Sequence, residues 1–266
     1  MQRIVPGLFI AGLWLLLLLK GTILLFCFVV LGVVLFGADE YLTMTDNRPL
    51  PELERWLLNL VTGSPVFLVC LFPAVATLPV ALLSAFGCLV GYCFFRYRVL
   101  TDPFPLFCRH SFGVLYIGLL ASHIVLLRYL PQGAAWLIIA SAITACSDTG
   151  AYFVGRSKGK RKLCPNISPN KTVEGAIGGV IAGTLAAAVA AAMLLDQVNW
   201  LYLVVASLLL CLVGIAGDLT ESIIKRGTGS KDSGRCLGGH GGILDRVDSL
   251  LFVSPVLYYL LQLPGW

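Results

Sequence analysis

Apolar residues run along this chain in blocks of roughly the length of a membrane span, separated by short polar joints. Crossing about 30 Å of hydrocarbon takes about 20 helical residues. Cut at charges, Pro and Gly, the apolar stretches number nine: 4–19, 21–38, 64–80, 81–95, 111–127, 133–154, 174–194, 199–217 and 249–264. The joints at Lys20 and from Pro79 to Ser84 predict tight hairpins. The expected fold is all-α, a polytopic integral membrane protein of about nine transmembrane helices. Residues 1–95 are expected to form an N-terminal transmembrane scaffold of about four helices. Residues 96–266 carry the segments with chemistry, at 148–175 and 217–248.

Composition agrees with that pattern. Of 266 residues 58% are hydrophobic and 12% charged, and the mean hydropathy is +0.89. A soluble globule carries about 25% charged residues, and a disordered chain is polar. The nine cysteines lie mostly in or beside apolar stretches without metal-ligand spacing, and read as small core residues. Met1 to Leu19 has no small-residue cleavage site before Lys20, and reads as a retained first span rather than a signal peptide.

The formal charge of +5 is unevenly placed. Short cytoplasmic loops hold the excess of Lys and Arg. With nine spans and the N-terminus inside, 17 of the 19 basic residues fall on the inner face, leaving Lys20 and Arg128 outside. In the seventh span Gly175, Gly179 and Gly183 recur every four residues, a ridge that lets helices approach closely in lipid. It suits a central buried helix or a dimer seam.

Three inner segments hold almost all the residues capable of chemistry. The first carries Asp148 and Tyr152 at the end of span six, followed by the basic run Arg156 to Lys162. An ionisable group at a membrane boundary is costly, and is functional or paired. The second is Ser168 to Gly175, where Ser-Pro-Asn signals a turn and helix start; Lys171 and Thr172 beside a helix N-terminus suit an anion such as phosphate. In the third, continued helix past Gly217 places Asp218, Glu221, Ser222 and Lys225 on one face. Asp245 and Asp248 can do the same at the start of span nine. Two carboxylate pairs brought together make an oxygen-rich site for a hard cation such as Mg²⁺.

Gly238 to Gly242 can bring backbone N–H groups close to a ligand, and Lys231, Asp232 and Arg246 flank it. His240 is expected to contact a phosphate or the loop, because a phosphate nucleophile is already anionic near neutral pH. His123 reads as a hydrogen-bonded packing residue. The group Asp39, Glu40, Arg48, Glu52, Glu54 and Arg55 reads as a solvated interfacial segment.

Taken in order, these segments resemble the CDP-diacylglycerol synthase, or phosphatidate cytidylyltransferase, family. The match is carried by SIIKRGTGSKDSGRCLGGHGGILDRVD (222–248), with DTGAYFVG (148–155), SPNKTVEG (168–175) and GDLTES (217–222) upstream. Gly238 departs from the proline that many members carry there. The resemblance implies transfer of the cytidylyl group of CTP to phosphatidate, with CDP-diacylglycerol and pyrophosphate as products. It implies Mg²⁺ held by Asp218 and Asp245 with Asp248 and Asp148 nearby, and leaves room for a second cation. Asp218, Asp245, Asp248 and Lys225 are the expected catalytic residues. Lys171, Ser168, Thr172, Ser222, Arg226, Lys231, Gly239, His240, Gly241, Gly242, Arg246 and Tyr152 are the expected substrate contacts.

The expected partners are CTP, phosphatidate and the bilayer, with no nucleic acid; a homodimer is left open by the glycine ridge. The expected location is the cytoplasmic (inner) membrane, with the active site facing the cytoplasm. A CTP-dependent enzyme for an ether-linked or isoprenoid phosphate, or a lipid kinase fed by CTP, keeps the same chemistry. A transporter leaves the crowding of charge on one face unexplained. In a background freed of native cysteines, Ser230→Cys is expected to react with an impermeant thiol probe only from the cytoplasmic side. Labelling from outside contradicts the orientation.

Overall fold

A computed structural model describes residues 4–46, 50–100, 103–234 and 241–264. Among the described residues ten α-helices follow one another: α1 (Ile4–Lys20), α2 (Ile23–Thr45), α3 (Glu52–Leu71), α4 (Thr77–Arg96), α5 (Pro103–Gly113), α6 (Leu120–Tyr129), α7 (Gly133–Lys158), α8 (Val173–Leu194), α9 (Trp200–Gly227) and α10 (Leu244–Leu260). A π-helical stretch, Val114–Leu119, joins α5 and α6 into one span, Pro103–Tyr129. The described helices thus make nine segments, the number expected. Among the described residues six are long and apolar enough to cross a membrane by length and composition. Of the others, α1 and α10 have 17 residues each, and α3 carries Glu52, Glu54 and Arg55. The all-α expectation holds, with one small addition. The basic stretch after α7 is not plain loop but an antiparallel hairpin of β1 (Lys162–Cys164) and β2 (Ser168–Thr172).

The third span lies elsewhere than hydropathy placed it. Expected at 64–80, the helix is α3 at Glu52–Leu71, and the chain turns at Phe72 to Ala76 rather than at Pro79. Charges that read as a solvated joint are inside the helix because neighbouring helices satisfy them. Arg55 pairs with Asp39 on α2, and Asn59, fully buried, donates to the same carboxylate (2.9 Å). Glu54 pairs with Arg96 and accepts from Tyr92 Oη (2.9 Å), both on α4. Polar side chains hold membrane helices together in this way. Pro79, in the first turn of α4, lacks only an N–H that has no helical partner there. The expected break at Lys20 is present. A Cβ on Gly21 would lie 2.4 Å from Leu17 O, and Thr22 Oγ1 caps α2 by accepting from Leu25 N (3.2 Å).

The glycine ridge of α8 is spent inside the chain. Cβ atoms on Gly175, Gly179 and Gly183 would stand 2.8, 2.7 and 3.0 Å from the carbonyl oxygens of Ala151, Ser147 and Ile143, one turn apart on α7. On α7, a Cβ at Gly150 would meet Ala182 Cβ at 2.6 Å. The two helices therefore pack backbone to backbone, and the opposite face of α8 exposes Ile177, Ile181, Leu185 and Val189, as a lipid-facing stripe does. A second close crossing joins α9 to α10, where a Cβ on Gly217 would lie 2.9 Å from Asp248 O. These two contacts bring the ends carrying Asp148, Lys171, Asp218 and Asp248 together. His123 packs as expected, its Nδ1 2.9 Å from Leu119 O and its ring against Tyr258 and Tyr259.

Candidate active site

The helix that carries most of the chemistry is α9, with 28 residues and so about 42 Å long at 1.5 Å per residue. That exceeds the hydrocarbon thickness, and its last three turns extend the apolar run into Asp218, Glu221, Ser222, Lys225 and Arg226. α10 begins at Leu244 and sets Asp245 and Asp248 in its first two turns. The helical continuity that the spacing required is present in both.

Lys225 is the bridge between them. Its ammonium donates to Glu221 Oε2 (2.8 Å) and to Asp245 Oδ1 (2.6 Å). Asp245 Oδ2 accepts from Gly242 N (2.8 Å) and Ser233 N (3.1 Å), so both of its oxygens are engaged. Glu221 is 1% exposed, and its second oxygen, Oε1, has no hydrogen-bond partner among the described residues. An orphaned buried carboxylate oxygen requires an explanation, such as a cation that it binds. Asp248, 8% exposed, accepts from Ser249 N (2.6 Å) and lies in the field of Asp218 and Asp148. Tyr116, on the π-helical stretch, has a buried hydroxyl with no hydrogen-bond partner among the described residues and lies in the field of the same carboxylates.

A second pair lies alongside. Lys171 forms an ion pair with Asp218. Asp148, Lys171, Asp218, Tyr152 and Asn170 line a cavity of about 240 Å³ between α7, β2 and α9. Glu174 pins the adjacent hairpin by accepting from Lys160 N (2.9 Å) and Arg161 N (3.1 Å). Thr172 is buried, and its hydroxyl caps α8 by accepting from Gly175 N (3.1 Å).

Of the residues singled out by sequence, Asp148, Asp218, Asp248, Asp245, Lys171, Lys225 and Tyr152 converge at this end of the bundle. Ser168 opens β2. Arg226 is exposed and donates from Nε to Ile167 O (3.3 Å). Ser222 is half-buried on α9, and Lys231 and Arg246 are exposed. Gly241 adopts φ +79°, a left-handed conformation that favours glycine, against the Asp245 carboxylate. Gly239, His240 and Arg48 lie outside the described residues. Glu40, Ser233, Asn170 and Tyr116 were not singled out for the site. Glu40 corrects the solvated reading outright, being 7% exposed.

Among the described residues no three Asp, Glu, His or Cys side chains form a ready metal-holding group. Mg²⁺ needs less, taking one or two carboxylates together with substrate phosphates and water. The donor set fits such an ion: hard oxygens only, several like charges in mutual repulsion, and the orphaned Glu221 oxygen.

Removing Lys225 tests the electrostatics directly. Lys225→Met leaves two carboxylates without their shared cation and is expected to cost about 3–5 kcal/mol in chemical unfolding, the range for breaking a buried pair. Adding Glu221→Gln should restore part of that loss. A Lys225→Met protein as stable as the wild type contradicts the bridge.

Comparison with known proteins agrees with the sequence motifs. Residues 1–264 match the cytidylyltransferase family. A phosphatidate cytidylyltransferase of Pseudomonas aeruginosa (strain PAO1) is 38% identical over 236 residues, 88% of this chain and 79% of that protein. One from Bacillus subtilis (strain 168) is 39% identical over 154 residues, 58% of this chain and 57% of the relative. The uncharacterized protein YnbB of Escherichia coli (strain K12) is 44% identical over 146 residues, 53% and 49% of the two chains. With these last two, the chain spans about half the length of the relatives it matches. By its match over almost every residue, the chain belongs to the cytidylyltransferase family, that of the phosphatidate cytidylyltransferases.

Proposed function

We propose that this membrane protein transfers the cytidylyl group of CTP to phosphatidate at the cytoplasmic leaflet of the inner membrane, forming CDP-diacylglycerol and pyrophosphate. The observation that carries this reading is the gathering of paired lysines and carboxylates at one end of an apolar helix bundle, Lys171 with Asp218 and Lys225 with Glu221 and Asp245. Such an arrangement suits two multi-anionic reactants, one of which stays in the bilayer: each buried methylene of a lipid is worth about 0.8 kcal/mol.

A phosphate oxygen of the lipid attacks the α-phosphorus of CTP. A new P–O bond forms as the bond from that phosphorus to the bridging oxygen of pyrophosphate breaks, and the electron pair leaves with pyrophosphate. The nucleophile is anionic already, so no side chain has to take a proton. Catalysis is then a matter of position and charge. Lys171, Arg226, Lys231 and Arg246 are the cations for the triphosphate and the lipid phosphate. Lys225 fixes α9 against α10, and with them the spacing of Asp218 and Asp248. Asp218 and Asp245, with Asp248 and Asp148 beside them, would hold Mg²⁺, and the family resemblance leaves room for a second cation. When bound, Mg²⁺ supplies charge neutralisation between nucleotide and nucleophile.

Purified protein incubated with Mg²⁺ and phosphatidate is expected to yield a labelled lipid from α-³²P CTP and none from γ-³²P CTP. Transfer from the γ label instead identifies a lipid kinase. Failure to form any nucleotide-linked lipid from diacyl, ether or isoprenoid phosphates refutes the reading. Asp218→Asn should lower the rate by about a hundredfold or more, the scale of removing one preorganised group from a reacting centre.

A further inference from the structure

Glu40 lies on α2, in the half of the chain that holds none of the conspicuous motifs, yet its carboxylate is bound to the segment that delivers Asp245. Its Oε1 accepts from Ile243 N (3.0 Å), and its Oε2 accepts from Leu244 N (3.0 Å) and Ser233 Oγ (3.2 Å). Ser233 continues the network: its Oγ accepts from Asp245 N (3.3 Å), and its own N–H donates to Asp245 Oδ2 (3.1 Å). Gly242 N donates to that same oxygen (2.8 Å). Two carboxylates, one from α2 and one from α10, thus share the donors at both described ends of the segment from Ser233 to Leu244.

The space around Glu40 is shaped for it. A Cβ on Gly234 would lie 2.4 Å from Oε1, and one on Gly242 would lie 2.3 Å from Oε2 and 2.1 Å from Ser233 Oγ. Two glycines therefore let the backbone close on the carboxylate. Among the described residues no basic side chain forms an ion pair with Glu40. Its charge is held by hydrogen bonds and by the positive end of α10, whose first N–H groups it caps. An acid whose only role was solubility would be in water.

We propose that Glu40 is a positioning residue for nucleotidyl transfer: by clamping the start of α10 it holds Asp245, and through Asp245 the Lys225 bridge, in the geometry that turnover requires. This rests on the cytidylyltransferase reading above. Glu40 itself contacts the loop and not the reacting atoms, so its loss should reach the rate through the position of Asp245.

The test compares wild type, Glu40→Gln and Gly242→Ala, each purified in the same detergent. The readouts are kcat, KM for CTP, the unfolding midpoint and amide hydrogen exchange. Glu40→Gln is isosteric but puts an NH₂ group where one carboxylate oxygen accepted from a backbone N–H. It should lower kcat by about 10- to 100-fold, the usual effect of losing an outer-shell partner, with KM for CTP and the unfolding midpoint little changed. Exchange should quicken at the amides of residues 242–245 and not across the helices. Gly242→Ala puts a Cβ against the same carboxylate from the loop side and should quicken exchange at the same amides. Wild-type kcat in folded Glu40→Gln, or unchanged exchange at those amides in both variants, overturns the proposal. So does exchange that rises throughout both chains, which marks a general structural role. The exchange readout needs no turnover: a wild type that forms no nucleotide-linked lipid would refute the functional reading, while the clamp is still judged by its amides.

Discussion

A carboxylate does not stay ionised beside hydrocarbon unless something positive or hydrogen-donating meets it, and that constraint arranges the polar end of this bundle. Five acids, Glu40, Asp148, Asp218, Glu221 and Asp248, lie on helices whose other faces are apolar, and Asp245 joins them at the start of α10. Several are answered, each differently. Asp218 takes Lys171, Asp245 and Glu221 share Lys225, and Glu40 takes three donors from the segment leading into α10. Glu221 Oε1 is left without a donor among the described residues, and Asp248 accepts from Ser249 N. Under the proposed function, a cation arriving with a polyphosphate would answer these crowded carboxylates.

Packing decides where the acids stand. Small residues in α8 remove the side chains that would hold α7 away, and Gly217 does the same between α9 and α10. Backbones in close contact leave little freedom for the residues just beyond them. Asp148 lies one residue from the α7 carbonyl that faces Gly179, and Asp218 follows Gly217 directly. The ridge that could have been a dimer seam is filled by the chain's own α7. The same close packing that stabilises helices in lipid also places the chemistry.

Much of this was legible in the amino-acid sequence, for reasons visible in particular residues. Apolar runs report a span well when a helix is uniform, as in α2, α8 and α9. They fail for α3, whose Glu52, Glu54, Arg55 and Asn59 find partners on α2 and α4 that no local pattern reveals. The acids of α9 and α10 stood out because they sit in dense motifs at helical spacing. Glu40 did not, since its donors come from residues about two hundred positions away. Carried on as helix past Ala38, α2 puts Glu40 one turn from Gly37, at the edge of the face that holds Val34, Gly37 and Tyr41. That edge position left it readable as solvated, and only the distant donors show it as buried. The β-hairpin before α8 was equally hidden, because Ser-Pro-Asn reads as a turn and Glu174, which accepts from Lys160 N and Arg161 N beside the hairpin, read only as a helix-start residue.

The central claim is that Asp218 and its neighbours form a site for nucleotide and divalent cation together, and equilibrium binding tests it most directly. Ligand that binds only the folded state raises the unfolding midpoint. CTP with Mg²⁺ should raise that of the purified wild type well above CTP in excess EDTA, and Asp218→Asn should lose most of the difference while unfolding normally without ligand. Equal stabilisation by CTP with and without Mg²⁺, or an undiminished shift in Asp218→Asn, would contradict the account.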